Sequence, residues 1–299
     1  MIPHAVTSAL LNGHGEPLCR FLREAYFAEP KQGSFAVTSS ATTSEDVVQL
    51  AKSLQLIEER GPHGFRLTPL GYELGNFAKE YCSWIDHGRA LPEGVTPELL
   101  TGKRVLDVGC SSGRHLVNFL KHGATGYGLD FQENYLRLSR VFAAWEHVPP
   151  PHVFRGDGQV LPFRSEEFDV VFCRLVINYL DVNLTVSEFG RVLRKNGTLI
   201  LLTETARSAA RDLLRLHWLG NRRAVAYSLL GFANALILQT TGRQFRVRSP
   251  GRMHRSHSPV WPTRPWLVRC LARHGFVLQP DRAQKNVEPF ALFVAVRNG

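Results

Sequence analysis

The sequence predicts an α/β fold: a seven-stranded sheet, mostly parallel with an antiparallel last strand, behind a helical N-terminal domain. Three observations carry this reading. From Lys103 onward, short apolar runs alternate with stretches of helical spacing. The residues before Lys103 show mainly helical spacing and one hairpin. The chain has 299 residues, 44% of them apolar, which suffices for two modest domains. We divide it into residues 1–95 and 96–299, with an insertion at 205–263.

Each element has a local reason. Pro17 to Ala28 carries Leu18, Phe21, Leu22 and Tyr26 at helical spacing. Thr43-Ser44-Glu45-Asp46 places hydroxyls before acids, a helix start, and the helix is expected to run to Glu59. Its buried face would hold Val47, Val48, Leu50, Ala51, Leu54 and Leu56. Gly61 to Gly64 turns the chain, Phe65 to Thr68 is a short strand, and Pro69 begins a helix through Phe77. Pro92 to Gly102 is a connection. Strands are expected at Arg104–Val108, Thr125–Asp130, His152–Arg155, Phe168–Cys173 and Thr198–Thr203, the last entered through an Asn196-Gly197 turn. Helices are expected at Gly113–His122, Glu133–Trp145, Val182–Leu193 and Arg264–His274. Phe276–Pro280 and Phe290–Val296 read as a closing antiparallel hairpin.

Composition narrows the function classes. Five dispersed cysteines without a CxxC pair argue against a disulfide framework or a zinc site, so no metal is expected. The N-terminus lacks the basic-then-apolar pattern of a signal peptide, which points to the cytoplasm. No run reaches the ~18 apolar residues of a membrane span. The net charge of +10 is concentrated at the end: residues 207–299 hold 16 Lys and Arg against 3 Asp and Glu. Arginine dominates, and its fork grips phosphate and carboxylate in a bidentate way.

The strongest motif is Val105-Leu106-Asp107-Val108-Gly109-Cys110-Ser111-Ser112-Gly113, at the junction of a buried strand and a helix. Glycines there allow close backbone approach, and crevices at strand C-termini are where open α/β sheets bind nucleotides. Asp130 ends the second strand, placed to accept from ribose hydroxyls, and Asp157 in Gly156-Asp157-Gly158 follows the third. Leu161-Pro162-Phe163, Phe168-Asp169-Val170-Val171-Phe172-Cys173 and Arg191 to Leu199 complete the series. Together these runs resemble the Rossmann-like class I S-adenosylmethionine-dependent methyltransferases, over residues 103–204 and loosely beyond. The resemblance implies S-adenosyl-L-methionine as cofactor. It implies that Asp107, Gly109, Cys110, Ser111 and Gly113 hold its methionine end and that Asp130, followed by Phe131, holds the ribose. Asp157 and Gly158 would bracket the adenine, and Cys173 would lie near the sulfonium. Ser111 stands where the family usually has glycine. The Gly-x-Gly-x-x-Gly pattern of nicotinamide enzymes is missing from this loop.

Leu54 to Arg60 followed by Phe65-Arg66-Leu67-Thr68-Pro69-Leu70-Gly71 resembles the end of a winged-helix unit. Its acidic balance speaks against DNA, which needs a cationic face. The resemblance implies a dimerisation unit, hence a homodimer, or a substrate lid.

A general base is needed only where the methyl acceptor must lose a proton. The candidates in segments expected over the cofactor are Asn178, Tyr179, His217, His254 and His257. In the insertion, the almost wholly apolar Ala224 to Leu238 reads as a buried lid helix, with peripheral membrane contact as the sharper reading. Arg243 to His257 is dense in arginine. The favoured function is methyl transfer to O, N or C of a small hydrophobic or anionic metabolite. The alternatives are an RNA methyltransferase using the basic C-terminal third and a non-catalytic sensor of S-adenosylmethionine. Nucleic acid ranks below the small molecule because only Phe245 interrupts the basic run with an aromatic ring.

Overall fold

The computed structural model describes residues 4–11, 15–32, 35–36, 45–59, 64–213, 222–245, 259–279 and 290–299. They group into two compact units. One gathers Met1–Leu91 with Ser111–Asn118 and Gln132–Pro151; the other gathers Pro92–Cys110, Phe119–Phe131 and His152–Gly299.

The first unit begins with α1 (His4–Leu11), α2 (Gly15–Gln32), β1 (Phe35–Ala36) and α3 (Glu45–Ser53). The Thr43-Ser44 helix start lies outside the described residues. Nor does α3 reach Glu59. Gln55 turns left-handed at φ +56, its N–H bonds the Lys52 carbonyl, and the Leu56 N–H reaches back to the Ala51 carbonyl. That pair of bonds is the Schellman ending, with Ala51 and Leu56 both buried beneath it. The chain then enters β2 (Ile57–Glu59), which pairs antiparallel with β3 (Gly64–Leu67), and β3 also pairs with β1. Thr68 accepts the Gly71 N–H as N-cap of α4 (Pro69–Asp86), and Pro69 takes the first helical turn, where a missing N–H costs nothing. A Cβ on Gly71 would stand 1.9 Å from the Leu56 carbonyl oxygen, so only glycine fits the close of Leu-Thr-Pro-x-Gly. Phe77, Tyr81 and Trp84 of α4 meet Phe142 and Trp145 of the helix Glu133–Trp145 in one aromatic cluster. The Trp145 indole N–H donates to the Leu10 carbonyl of α1.

In the second unit the sheet follows from burial. β4 (Arg104–Val108), β5 (Thr125–Asp130), β6 (His152–Arg155), β7 (Phe168–Arg174) and β8 (Leu193–Thr203) run parallel in the order β6-β5-β4-β7-β8. Central strands are covered on both faces and therefore read as continuous apolar runs, whereas β6, at the edge, is largely exposed. β9 (Phe276–Leu278) and β10 (Ala291–Arg297) form the antiparallel closing pair, and β10 pairs antiparallel with β8. The expected Asn196-Gly197 turn lies inside β8. Phe168 pairs with Leu193 but Val170 with Thr198, so the extra residues bulge out, with Asn196 left-handed at φ +61. Between β4 and β5 runs α5 (Arg114–Lys121), and between β5 and β6 runs α6 (Glu133–Trp145). α7 (Val182–Val192) follows β7, and α8 (Ala206–Leu213), α9 (Arg222–Thr241) and α10 (Arg264–Arg273) follow β8. Val182, Val186, Phe189, Val192, Leu267 and Leu271 join the apolar strand residues in one core. Each fully buried side chain of this size contributes about 1.5–3 kcal/mol.

α9 is the apolar helix expected in the insertion, but it is not wholly buried. Ala235 and Leu238 face inward while Leu229 and Leu236 are more than half exposed. No helix among the described residues is long and apolar enough to cross a membrane.

Candidate cofactor and acceptor site

β4, β5, β6, β7 and β8 are parallel, so the residues after their C-termini share one edge of the sheet. Asp107 lies inside β4 and Asp130 is the last residue of β5; both are buried, at 2% and 7% exposure. The turn between them is tight because the Gly109 and Cys110 N–H groups both bond the Leu129 carbonyl, at 2.7 and 3.2 Å. Gly109 has φ +78, and a Cβ there would stand 2.2 Å from Val176 Cγ2. Glycine is thus required first by the Val176 side chain that crosses it, whatever else approaches.

The two acids share an electrostatic neighbourhood. Burial raises the Cys110 thiol well above its ordinary range, and Asp107 and Asp130 push the same way. Burial and then Asp107 hold Cys173 up at about 12, against the pull of the Val176 and Ile177 N–H groups. Both thiols are protonated near neutral pH and are therefore poor nucleophiles. Among the described residues no group of three or more His, Cys, Asp or Glu could hold a metal.

Asp157 is exposed and turns the chain after β6: its carboxylate accepts the Gln159 backbone N–H at 2.9 Å and the Gln159 amide at 3.0 Å. The same Gln159 accepts the Asp181 N–H with its amide oxygen. A Cβ on Gly158 would lie 2.9 Å from Leu180 and 3.1 Å from Val108, so the turns after β4, β6 and β7 meet here. Leu161 and Phe163 are tethered from α7. The Leu161 N–H donates to Glu188, and the Arg191 guanidinium donates to the Leu161 and Phe163 carbonyls. Phe131 directly follows Asp130 and is partly exposed.

Ser111, Ser112 and Gly113 fall in the first unit. Ser111 is left-handed at φ +50, a conformation that suits glycine better, and Gly113 has φ +79. A Cβ on Gly113 would stand 2.7 Å from Ser139 Cβ, so this glycine lets α5 start against α6. The Ser112 hydroxyl is buried with no hydrogen-bond partner among the described residues.

The base candidates separate. His217, His254 and His257 lie outside the described residues, as do residues 246–257 of the basic run. Asn178 is a clamp. Its amide nitrogen donates to the Glu204 and Val260 carbonyls, and its amide oxygen accepts from the Thr203 hydroxyl and the Glu204 N–H. Those four bonds exhaust the amide. Tyr179 is 44% exposed and hydrogen-bonds Tyr227 of α9. Beside this pair sits Glu204, which the sequence reading passed over although an acid at the end of β8 is the same signal as Asp130 at the end of β5. The Trp261 indole N–H donates to Glu204 Oε2 at 2.8 Å.

Parts of the chain are similar to known proteins. Residues 106–201 match the family described as "Methyltransferase domain". The uncharacterized methyltransferase YcgJ of Bacillus subtilis is 29% identical over 112 residues, 37% of this chain and 44% of that protein. The ubiquinone biosynthesis O-methyltransferase of Paracidovorax citrulli is 27% identical over 179 residues, 60% of this chain and 70% of that one. Among solved structures, the magnesium protoporphyrin IX methyltransferase of Synechocystis with bound SAH is similar at a TM-score of 0.45 and 16% identity, over 75% of this chain and 83% of that one. The chain spans about half the length of the first curated relatives it matches. Residues 106–201 thus match a methyltransferase domain, and they lie on the seven-stranded sheet with five parallel strands and an antiparallel closing pair.

Proposed function

We propose that the protein transfers the methyl group of S-adenosylmethionine to an oxygen, nitrogen or carbon atom of a small hydrophobic or anionic molecule. The observation that carries this is the pair of buried carboxylates, Asp107 inside β4 and Asp130 at the end of the neighbouring β5, beside a glycine turn. The donor set fits the cofactor. The Asp130 carboxylate would accept from both hydroxyls of a ribose, and the Asp107 carboxylate from an ammonium group. Asp157, oriented by Gln159, and Gly158 flank the adenine. Gly109, Cys110, Ser111 and Gly113 follow the methionine end, Phe131 lies beside the ribose, and Cys173 contributes backbone beneath the sulfonium.

When bound, the cofactor supplies an electrophilic methyl on a positively charged sulfur. The chain's own work is then to position the acceptor and exclude water. Residues 1–95 are read as a winged-helix-like unit for dimerisation or substrate covering, supported by the β2–β3 hairpin closing into a capped α4. The named activities of relatives, O-methylation among them, support a small-molecule acceptor. Calorimetry tests the reading. The protein should bind S-adenosylmethionine and its demethylated product, and Asp130→Asn should weaken both roughly 10- to 100-fold, the weight of hydrogen bonds to a charged group. Heat-silent titration of folded protein with both compounds would end the proposal.

A further inference from the structure

Surface helices ordinarily turn their apolar side inward, and α9 turns part of it out. We propose that the outer face of α9 seats the protein on a membrane surface rich in anionic lipid, lying in the interface without crossing it. This contact is independent of the activity proposed above.

The helix is inside out. Its inward positions include Ser228, Gly231 and Asn234, all buried. The Asn234 amide donates to the Pro259 carbonyl at 3.1 Å and accepts the Phe245 N–H at 2.7 Å. The Trp261 ring lies so close to Gly231 that a Cβ there would stand 2.1 Å from it. Polar bonds and ring packing therefore fix the inner side. The outer side holds Ala226, Leu229, Ala233, Leu236, Ile237 and Thr240, all exposed and recurring at helical spacing. Leu236 is 64% exposed, Leu229 55% and Ile237 40%. None of the six is charged and only Thr240 is polar, over about 21 Å of helix axis at ~1.5 Å per residue. A surface helix of a soluble domain places charged and polar residues on this side.

At the end of the helix the apolar surface goes on. Phe245 and Leu184 are each more than half exposed. The segments that carry them are tied together: the Asn183 amide donates to the Gly242 carbonyl, and Gln244 accepts the Val182 N–H and donates to the Leu180 carbonyl. An exposed apolar face of this extent marks a contact site.

Charge decides what the face contacts. α9 opens on Arg222-Arg223, and the exposed Arg243 follows its last residue, Thr241, by two positions. From Leu213 to Pro280 the sequence has 11 Arg and no Lys, Asp or Glu. An apolar stripe between cationic ends matches a bilayer, whose acyl boundary takes Leu229, Leu236 and Ile237 while its anionic headgroups meet the positive charge. A second copy does not match, because a twofold contact sets the stripe against itself and brings arginine to arginine in either direction. A nucleic acid gains nothing from the stripe, whose leucines and isoleucine offer phosphate no hydrogen bond.

Vesicle binding by the full chain tests this. The protein should sediment with vesicles rich in phosphatidylglycerol roughly 10-fold or more tightly than with pure phosphatidylcholine, and added salt should weaken the preference. Leu236→Glu combined with Ile237→Glu charges the outer face and leaves the inner bonds alone. It should lower binding to the anionic vesicles roughly 10- to 100-fold while circular dichroism and the thermal midpoint hold. Should that pair fail to fold, Leu229→Ser carries the test with a loss of roughly threefold or more. Three results overturn the proposal: no binding to either vesicle, equal binding to both, or a folded variant that binds as wild type does. So does a protein that binds no vesicle, is dimeric by sedimentation velocity and becomes monomeric in the paired variant, since a second copy then covers the stripe.

Discussion

Two stretches of the same sheet edge are built in opposite ways. The Asp107–Cys110 turn with Asp130 draws its groups from 24 consecutive residues on two adjacent strands. The Tyr179–Glu204–Tyr227–Trp261 cluster draws four groups from four segments spread over 83 residues. The first is held by backbone geometry: a left-handed glycine and two N–H bonds to one carbonyl. The second is held by side chains: one asparagine amide, one indole and a glycine on which the indole rests. Turn-built sites are specified by spacing and tolerate no Cβ. Clamp-built sites are specified by whichever side chain satisfies the buried polar groups.

That contrast can be broken most severely at Asn178. Asn178→Leu strands the Glu204 N–H and the Val260 carbonyl, while the Thr203 hydroxyl and the Glu204 carbonyl keep the bond between them, and should cost roughly 3 kcal/mol, since each orphaned buried group costs about 1–3. Denaturant melts measure it. A loss below about 1 kcal/mol would mean that the clamp holds little. Gly109→Ala should cost about 3 kcal/mol from left-handed strain plus the clash with Val176, and should abolish cofactor binding. Adding Val176→Ala should restore part of the stability by removing the clash while the strain remains. Full restoration would show that packing alone demands the glycine.

The smallest effect sharpens the comparison at α7. Its hydrogen bonds with Arg191 foremost, then the Leu161 N–H, hold the Glu188 carboxyl below the usual glutamate range. A lowered folded value means stability that is complete above the ordinary glutamate range and fades as pH falls through the lowered one. Glu188→Gln should therefore cost at most about 1 kcal/mol at neutral pH, because the pair meets solvent, and should flatten the acid limb of the stability curve. An unchanged acid limb would show that Leu161-Pro162-Phe163 is held otherwise.

Much of the fold was readable in advance where local and global preferences agree. β4, β5, β6 and α6 begin and end where alternation and helical spacing put them. Disagreement arose where a tertiary hydrogen bond outweighed propensity. Apolar residues through Leu56 extend the helical pattern of α3, yet the Leu56 N–H turns back to Ala51 so that Ile57–Glu59 can pair with β3. Asn196-Gly197 carries a strong turn signal, and the turn is absorbed as a bulge because β8 pairs with β7 on both sides of it. The apolar α9 read as fully buried, but periodicity cannot say which faces find partners, and Leu229 and Leu236 do not.

By itself, then, the sequence determined the α/β architecture, the strand-end acids and the glycine turn, because each depends on residues within one or two elements of each other and on the fixed periods of helix and strand. The tertiary structure alone decided that Asn178 is a clamp and not a base, that Asp157 leans on Gln159, and that Glu204 meets Tyr179, Tyr227 and Trp261. Those facts rest on which distant side chains satisfy one another's hydrogen bonds, and no spacing along the chain encodes that choice.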